Sequence, residues 1–328
     1  MSTRYPKCPY CQAHGVRFGG RRRRCSKCGR TWSVRPRRRG PKLRTATRDL
    51  PRRILDKKQP TSMLATAFGC SARVVRKRHR AALDRLNRRP APQTILDGDL
   101  ALLADGLWFV FRRKLWVLYN MAVKPATGDS VFFLDPLLIQ GKESAEGWRL
   151  AFSTIPEHIH EHIRALVSDG FQGSKAIVRE HQWLHQRCHF HILTRLYNRL
   201  GKRKKKLPGH RISARIYRAV KVVLKTTSER RVLQKTALIG QLIADPCCRP
   251  GVAGIAREFL RDEKLYRTYL DHPELRLPTT DGVLESLHGR LREVASRVNR
   301  PTAVLRRIRG YIRVHPTFVC KGSVYQQK

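Results

Sequence analysis

At 328 residues, 41% of them hydrophobic, the chain can bury substantial cores and reads as two or three domains rather than a disordered basic tail. Its 69 Lys and Arg against 24 Asp and Glu give a formal charge of +45, which calls for a polyanionic partner, nucleic acid first. The longest apolar runs, Leu115 to Val123 and Val131 to Ile139, are far shorter than the roughly 20 residues of a membrane helix.

The opening residues lack the pattern of a secretory signal, so the nine cysteines read as metal ligands and reduced thiols of a cytoplasmic protein, not as a disulfide framework. Charge is uneven along the chain. Residues 1–90 hold 28 basic and only 3 acidic side chains, the mark of a basic binding arm joined to a more ordinary domain.

Within that arm, Cys8-Pro9-Tyr10-Cys11 is followed after thirteen residues by Cys25-Ser26-Lys27-Cys28. Two such knuckles present four thiolates to one tetrahedral Zn²⁺, and metal binding supplies the folding energy that a segment this small and charged cannot draw from a core. Residues 1–40 therefore read as a zinc ribbon, with Arg21 to Arg24 and Arg35 to Arg39 beside the knuckles and Phe18 and Trp32 as packing or stacking residues.

Residues 41–46 read as a linker inside a second segment, 41–92. Apolar positions there recur at helical spacing: Leu50, Ile54 and Leu55; Met63, Leu64 and Phe68; Val74, Val75, Leu83 and Leu86. Thr61 or Ser62 can cap the second helix, Gly69 supplies a turn, and Ser71 can cap the third. The pattern predicts a helix-turn-helix whose last helix offers Arg73, Arg76, Lys77, Arg78 and Arg80 to DNA phosphates and base edges. A basic solvated helix in a small bundle fits the same spacing.

After Pro90-Ala91-Pro92 the pattern changes. Ala101 to Phe111, Leu115 to Val123 and Val131 to Ile139 predict three antiparallel strands. A helix from Ser144 to Phe152 follows, then a strand through Ile163 to Val167, a helix from Ser174 to His181 and a strand near Gln186 to Phe190. This order predicts an α/β fold with an RNase H-like core, in which the first and fourth strands are neighbours. Residues 93–191 form its first part, 192–278 an all-α insertion and 279–328 the closing helical region. The insertion carries the basic run Lys202 to Lys206 and apolar faces built on Val220, Val223, Leu224, Leu233, Leu238, Ile239, Leu242 and Ile243.

Three carboxylates stand out. Asp105 and Asp169 each precede glycine at or within an apolar run, where an unpaired charge is costly unless a cation meets it, and Glu285 lies beside the apolar face of a late helix. Strand-end carboxylates brought together can hold two divalent ions about 3.5–4 Å apart for in-line phosphodiester displacement, and Mg²⁺, with Mn²⁺ as a substitute, suits such oxygen ligands. Structural readings compete: a hairpin turn at Asp105-Gly106, a strand-end turn capping the next helix at Asp169-Gly170, and a surface pair of Glu285 with Arg290 or Arg292. Asp97, Asp99 and Asp129 lie in polar turns, and His185 and His189 read as strand-face residues.

Leu103-Ala104-Asp105-Gly106, Val167-Ser168-Asp169-Gly170, Gln186-Arg187-Cys188-His189-Phe190-His191 and Thr280 to Glu285 together resemble a DDE transposase of the Mutator-like type found in bacterial insertion sequences. The resemblance spans about residues 97–315, and Cys188-x-x-His191 is its most specific step. It implies that Asp105, Asp169 and Glu285 form a metal-binding triad for cutting and joining DNA, with transposon ends and target DNA as partners and a homodimer or larger assembly to join two ends. Members often carry Asn where Thr280 and Asp281 stand, which leaves Asp281 and Glu293 as alternative third carboxylates. Cys188 and His191 read as structural or substrate-positioning residues; a second metal site, with Cys247-Cys248, is the other reading. A DNA-binding transcription regulator, an inactive transposase-derived protein and a nuclease without strand transfer also fit the chain.

Overall fold

The computed structural model describes residues 7–18, 22–33, 49–56, 58–88, 96, 98–200, 209–296 and 298–319. The linker 41–46, the Pro90-Ala91-Pro92 boundary, Arg21, Arg35 to Arg39, Asp97 and Lys202 to Lys206 lie outside them. The chain divides into two units, Met1–Arg48 and Asp49–Lys328.

The first unit is a three-stranded antiparallel sheet of β1 (Gly15–Arg17), β2 (Arg22–Cys25) and β3 (Thr31–Ser33). Trp32 lies across Gly15, where a Cβ would stand 2.1 Å from the indole ring. The sulfurs of Cys8, Cys11, Cys25 and Cys28 come within 4.8 Å of one another, a group able to hold a metal ion such as zinc. The Cys8–Cys28 separation is 3.8 Å, equal to the edge of a tetrahedron with Zn–S bonds of about 2.3 Å. Backbone N–H groups of Cys28 and Lys27 donate to Cys25 Sγ at 3.3 Å, and the Cys28 N–H leads in pulling that thiol down to about 6, while Cys11, whose Sγ shares a proton with Cys25 across 3.3 Å, is pushed the other way to about 12.

The second unit is mixed α/β. Three helices open it: α1 (Leu50–Leu55), α2 (Thr61–Ala67) and α3 (Ala72–Leu86). Ser71 caps α3 by accepting from the Val74 N–H, and Gly69 turns between the helices at φ +57°. Neither Thr61 nor Ser62 caps α2; Pro60 stands at that position, so Thr61 is already helical. Leu50, Leu64, Ala65 and Val75 make a small core, while Met63 of the predicted apolar face is exposed.

A seven-stranded sheet follows, with β4 (Leu100–Phe111), β5 (Lys114–Pro125), β6 (Ser130–Phe133), β7 (Leu137–Gln140), β8 (Ile163–Ser168), β9 (Leu184–Arg187) and β10 (Thr317–Val319). Its order is β10-β6-β5-β4-β8-β9, with β7 also on β5; β4–β8 and β8–β9 are parallel, the rest antiparallel. The expected third strand, Val131 to Ile139, is two strands. Pro136 has no N–H for the ladder, and Asp135 turns out to pair with Arg313 at 2.7 Å, so the chain leaves β5 and rejoins it.

Alternation along β4 divides its side chains between two cores. Leu100, Leu102 and Ala104 pack with Trp148 and Phe152 of α4 (Ala145–Phe152) and with Ile177 of α6 (Ser174–Glu180), which follows the short α5 (Glu157–His160). Ala101, Leu103 and Leu107 face α12 (Gly282–Ala295) and α13 (Pro301–Val314) through Leu284, Leu287, Leu291 and Ile308. The opening helices join this second core. Leu55 and Leu83 belong to it, Gly310 leaves no room for a side chain against Leu83, and Asn87 and Asp84 bind Arg306.

Between β9 and α12 lie α7 (His189–Asn198), α8 (His210–Lys225), α9 (Glu229–Ala244), α10 (Pro250–Arg261) and α11 (Thr268–Asp271), with a core of their own from Ile192 to Tyr266. Leu233, expected on its buried face, is exposed; Val232 takes the inward position. Among the described residues no helix is long and apolar enough to cross a membrane.

The β4–β5 hairpin turns on Arg112 and Arg113, both left-handed at φ 51° and 64°, a conformation that favours Asn-Gly. Replacing the pair by Asn-Gly is expected to stabilise the chain by about 1–2 kcal/mol in chemical denaturation; unchanged or reduced stability contradicts strain at this turn.

Candidate active site

Asp105 and Gly106 sit in the middle of β4, opposite Asn120 and Tyr119 of β5, and not in a hairpin turn. The backbone is closely approached there: a Cβ at Gly106 would stand 3.0 Å from the carboxylate of Glu143, which accepts from Trp148 Nε1 at 2.8 Å. Asp105 is 6% exposed, and its Oδ2 has no hydrogen-bond donor. His288 Nδ1 approaches that oxygen at 3.5 Å, while its Nε2 meets Asn120 Nδ2 at 2.8 Å.

Asp169 follows β8 in a bend, half-buried beside Gly170. Ala104 and Ser168 are paired across β4 and β8, so Asp105 and Asp169 leave adjacent register positions. Gly170, at φ +83°, is covered by the Arg187 guanidinium, 2.1 Å from where a Cβ would be. Asp169 does not cap α6, whose N-cap is Gly173.

The expected strand near Gln186 to Phe190 ends at Arg187. Cys188 is the N-cap of α7, so His191 lies one helical turn on and shares its face. The residues of this stretch divide the work. Gln186 and His189 bind the Tyr266 carbonyl, and Arg187 pairs with Asp262 and Glu258 at 3.0 Å, fastening the helical insertion to the sheet. Cys188 and His191 turn toward the carboxylates. His185 is held by Ser168 at 3.0 Å and is a core histidine, as is His189.

Asp281 is fully buried at the N-cap of α12. Its side chain makes no capping bond, the usual role of Asp there; it accepts from Cys188 Sγ at 3.1 Å instead. Glu285, in the first turn of the same helix, meets His191 Nε2 at 3.0 Å. It makes no pair with Arg290, which binds Glu293 at 3.6 Å. Glu293 also pairs with Lys58, far from this cluster's partners, and Asp99 and Asp129 pair with Arg164 and Arg276.

Ligand atoms of Asp105, His191, Asp281 and Glu285 thus lie within 4.8 Å of one another, and Asp169 is not a member of that group. Its charge is felt there nonetheless, raising Asp105, Glu143 and Asp281. Burial first, then the Asp281 charge, pushes the Asp105 carboxyl up to about 9, and burial lifts Asp281 to about 6. Burial alone would lower His191, but Cys188, Glu285 and Asp281 outweigh it and push it up to about 12. The His191 hydrogen bond leads in lowering Glu285, and burial brings His288 down to about 4. Three carboxylates face one imidazole, a donor set that a divalent cation would balance.

Asp281 and Glu143 carry more of the site than their sequence surroundings suggest. Asp281 had a readable signal, an acid directly before a glycine that opens a helix. Glu143 had none, since it stands in a loop outside any periodic segment. No protein-family model matches the chain, and no curated protein shows significant similarity to it.

A carboxyl raised in the folded state contributes stability at low pH that is lost as pH climbs through the folded value. Asp105→Asn is therefore expected to stabilise the protein in Mg²⁺-free buffer by about 1–3 kcal/mol at pH 8 and by little at pH 4. Thermal melts at the two pH values check this; an equal effect at both contradicts a buried, raised carboxyl.

Proposed function

We propose that the chain is a DDE-type DNA transposase with an RNase H-like core, which binds transposon ends and cuts and joins DNA strands with divalent metal. The observation that carries this reading is the meeting of buried Asp105 and half-buried Glu285, 180 positions apart in the sequence, in one group of ligand atoms. Parallel pairing of β4 with β8 beside an antiparallel β4–β5–β6 meander supports the core assignment.

In this reading Asp105, Asp169 and Glu285 would hold Mg²⁺: the unpartnered Asp105 Oδ2 and the Glu285 carboxylate lie in one group of ligand atoms that suits a hard ion, and Asp169 stands outside it at the adjacent strand end. Bound there, the metal supplies charge stabilisation to a phosphodiester undergoing in-line displacement by water or a 3′-hydroxyl. The protein's own groups keep the carboxylates aimed: His288 and Asn120 stand behind Asp105, and His191 steadies Glu285.

DNA recognition falls to the basic arm. On α3, Arg73, Arg76, Lys77 and Arg80 are exposed at spacings of three and four and form one stripe, with Arg78 half-buried beside it. Each phosphate contact adds to a steep salt dependence of binding. Joining two ends requires two copies, hence a homo-oligomer on DNA.

Asp105→Asn is expected to reduce Mg²⁺- or Mn²⁺-dependent nicking of end DNA by at least about a thousandfold while gel-shift affinity changes little. Unchanged nicking by this variant sinks the assignment, and tight binding by the unmodified chain with no nicking under either metal favours a regulator.

A further inference from the structure

Beside the oxygen cluster lies a group of different chemistry: a thiol, an imidazole and a carboxylate from Cys188, His191 and Asp281, whose ligand atoms all fall within 4.8 Å. Cys188 is 1% exposed and Asp281 fully buried. His191 Nδ1 and Asp281 Oδ2 are both buried without a hydrogen-bond partner, and they face each other across 3.5 Å. Without metal they are an imidazolium and a carboxylate too far apart for a good hydrogen bond, an interaction that a cation bound by both atoms would replace.

We propose that Cys188 Sγ, His191 Nδ1 and the Asp281 carboxylate form a second zinc site, separate from the four-cysteine group of residues 8–28 and adjoining the Asp105 and Glu285 carboxylates, with His191 and Asp281 common to both groupings. This goes beyond the transposase reading and does not rest on it.

Three features carry it. A tetrahedral Zn²⁺ with bonds of about 2.0–2.1 Å to N and O sets these ligand atoms about 3.3 Å apart, close to the 3.5 Å between Nδ1 and Oδ2. The thiol already points at the carboxylate, with Sγ 3.1 Å from Oδ1, so a cation entering between them replaces the shared proton. Zn²⁺ binding then releases two protons to solvent, one from Cys188 as the Zn–S bond forms and one from His191 Nδ1 as the Zn–N bond forms.

The third feature is the other ring nitrogen. His191 Nε2 is held by Glu285 Oε1 at 3.0 Å, the carboxylate–histidine arrangement that fixes the Nε2–H tautomer and leaves Nδ1 free to bind metal. Three protein donors leave the fourth position to water. A soft thiolate with imidazole selects Zn²⁺ over Mg²⁺, so the two neighbouring groups differ in the ion they take. Among the described residues Cys70, Cys247 and Cys248 join no such group, and Cys247-Cys248 do not complete this one.

The test is zinc stoichiometry in the full-length protein, reconstituted with Zn²⁺, freed of excess metal and measured by elemental mass spectrometry. The intact chain is expected to hold two zinc ions. Cys188→Ser and Asp281→Asn should each hold one, as should the double variant Cys8→Ser/Cys25→Ser, and combining Cys188→Ser with that double variant should leave none.

One zinc in the intact protein, or two retained in both Cys188→Ser and Asp281→Asn, overturns the proposal. Should those two variants misfold by circular dichroism, the Cys8→Ser/Cys25→Ser protein with Cys188 intact decides alone: Co²⁺ must give a thiolate-to-metal charge-transfer band, and its absence is negative. Loss of DNA cleavage with two zinc ions present would count against the transposase and leave this site standing.

Discussion

Two buried carboxylates govern this protein. Asp105 and Asp281 come from the middle of a strand and the start of a helix 176 positions later, and they share one small volume from which water is largely excluded. Poor solvation raises the proton affinity of both; the Asp281 charge raises Asp105 further, and the Glu285 and Asp169 charges do the same for Asp281. The fold surrounds them with His191, His288 and Asn120, yet leaves one oxygen of each carboxylate without a hydrogen-bond donor. Such an interior is stable in one of two ways: by protonation, or by a cation. A chain that needed neither would do better with apolar residues here.

That constraint explains several otherwise odd local choices. Gly106 stands mid-strand where the Glu143 carboxylate lies against the backbone. An aspartate stands at the N-cap of α12 without capping it. Cys188 and His191 begin a helix at the point where β9 stops, so that one turn brings both to the same face. Outside the cluster, Arg187, Gln186 and His189 tie the helical insertion to the sheet edge, and Leu55 and Leu83 fix the opening helices on α13. Parts that read as separate segments in sequence therefore share one rigid support behind the carboxylates.

The strand meander was legible because apolar runs bounded by Arg-Arg and Gly-Asp turns carry a local signal. β4, β5 and β8 begin and end within two residues of expectation. The break at Asp135-Pro136 was missed although proline announces it, because the apolar residues on either side continue the run. Asp105 was found from the cost of its charge, but its glycine was equally compatible with a turn, and only the pairing of both residues with β5 separates the two. Asp281 was readable as an alternative third carboxylate; its complete burial depends on Cys188 from another element and has no local trace. The docking of Leu83 against Gly310 joins residues 227 positions apart and leaves no mark in either segment.

The central proposal is that the acidic cluster holds a divalent cation. Crystals of the full chain soaked in Mn²⁺ and measured at an energy that gives anomalous signal from manganese test it directly. The account predicts an anomalous peak within about 2–2.5 Å of the Asp105 and Glu285 carboxylates. Ordered density for the cluster with no peak there, at Mn²⁺ concentrations that label other surface carboxylates, would contradict it.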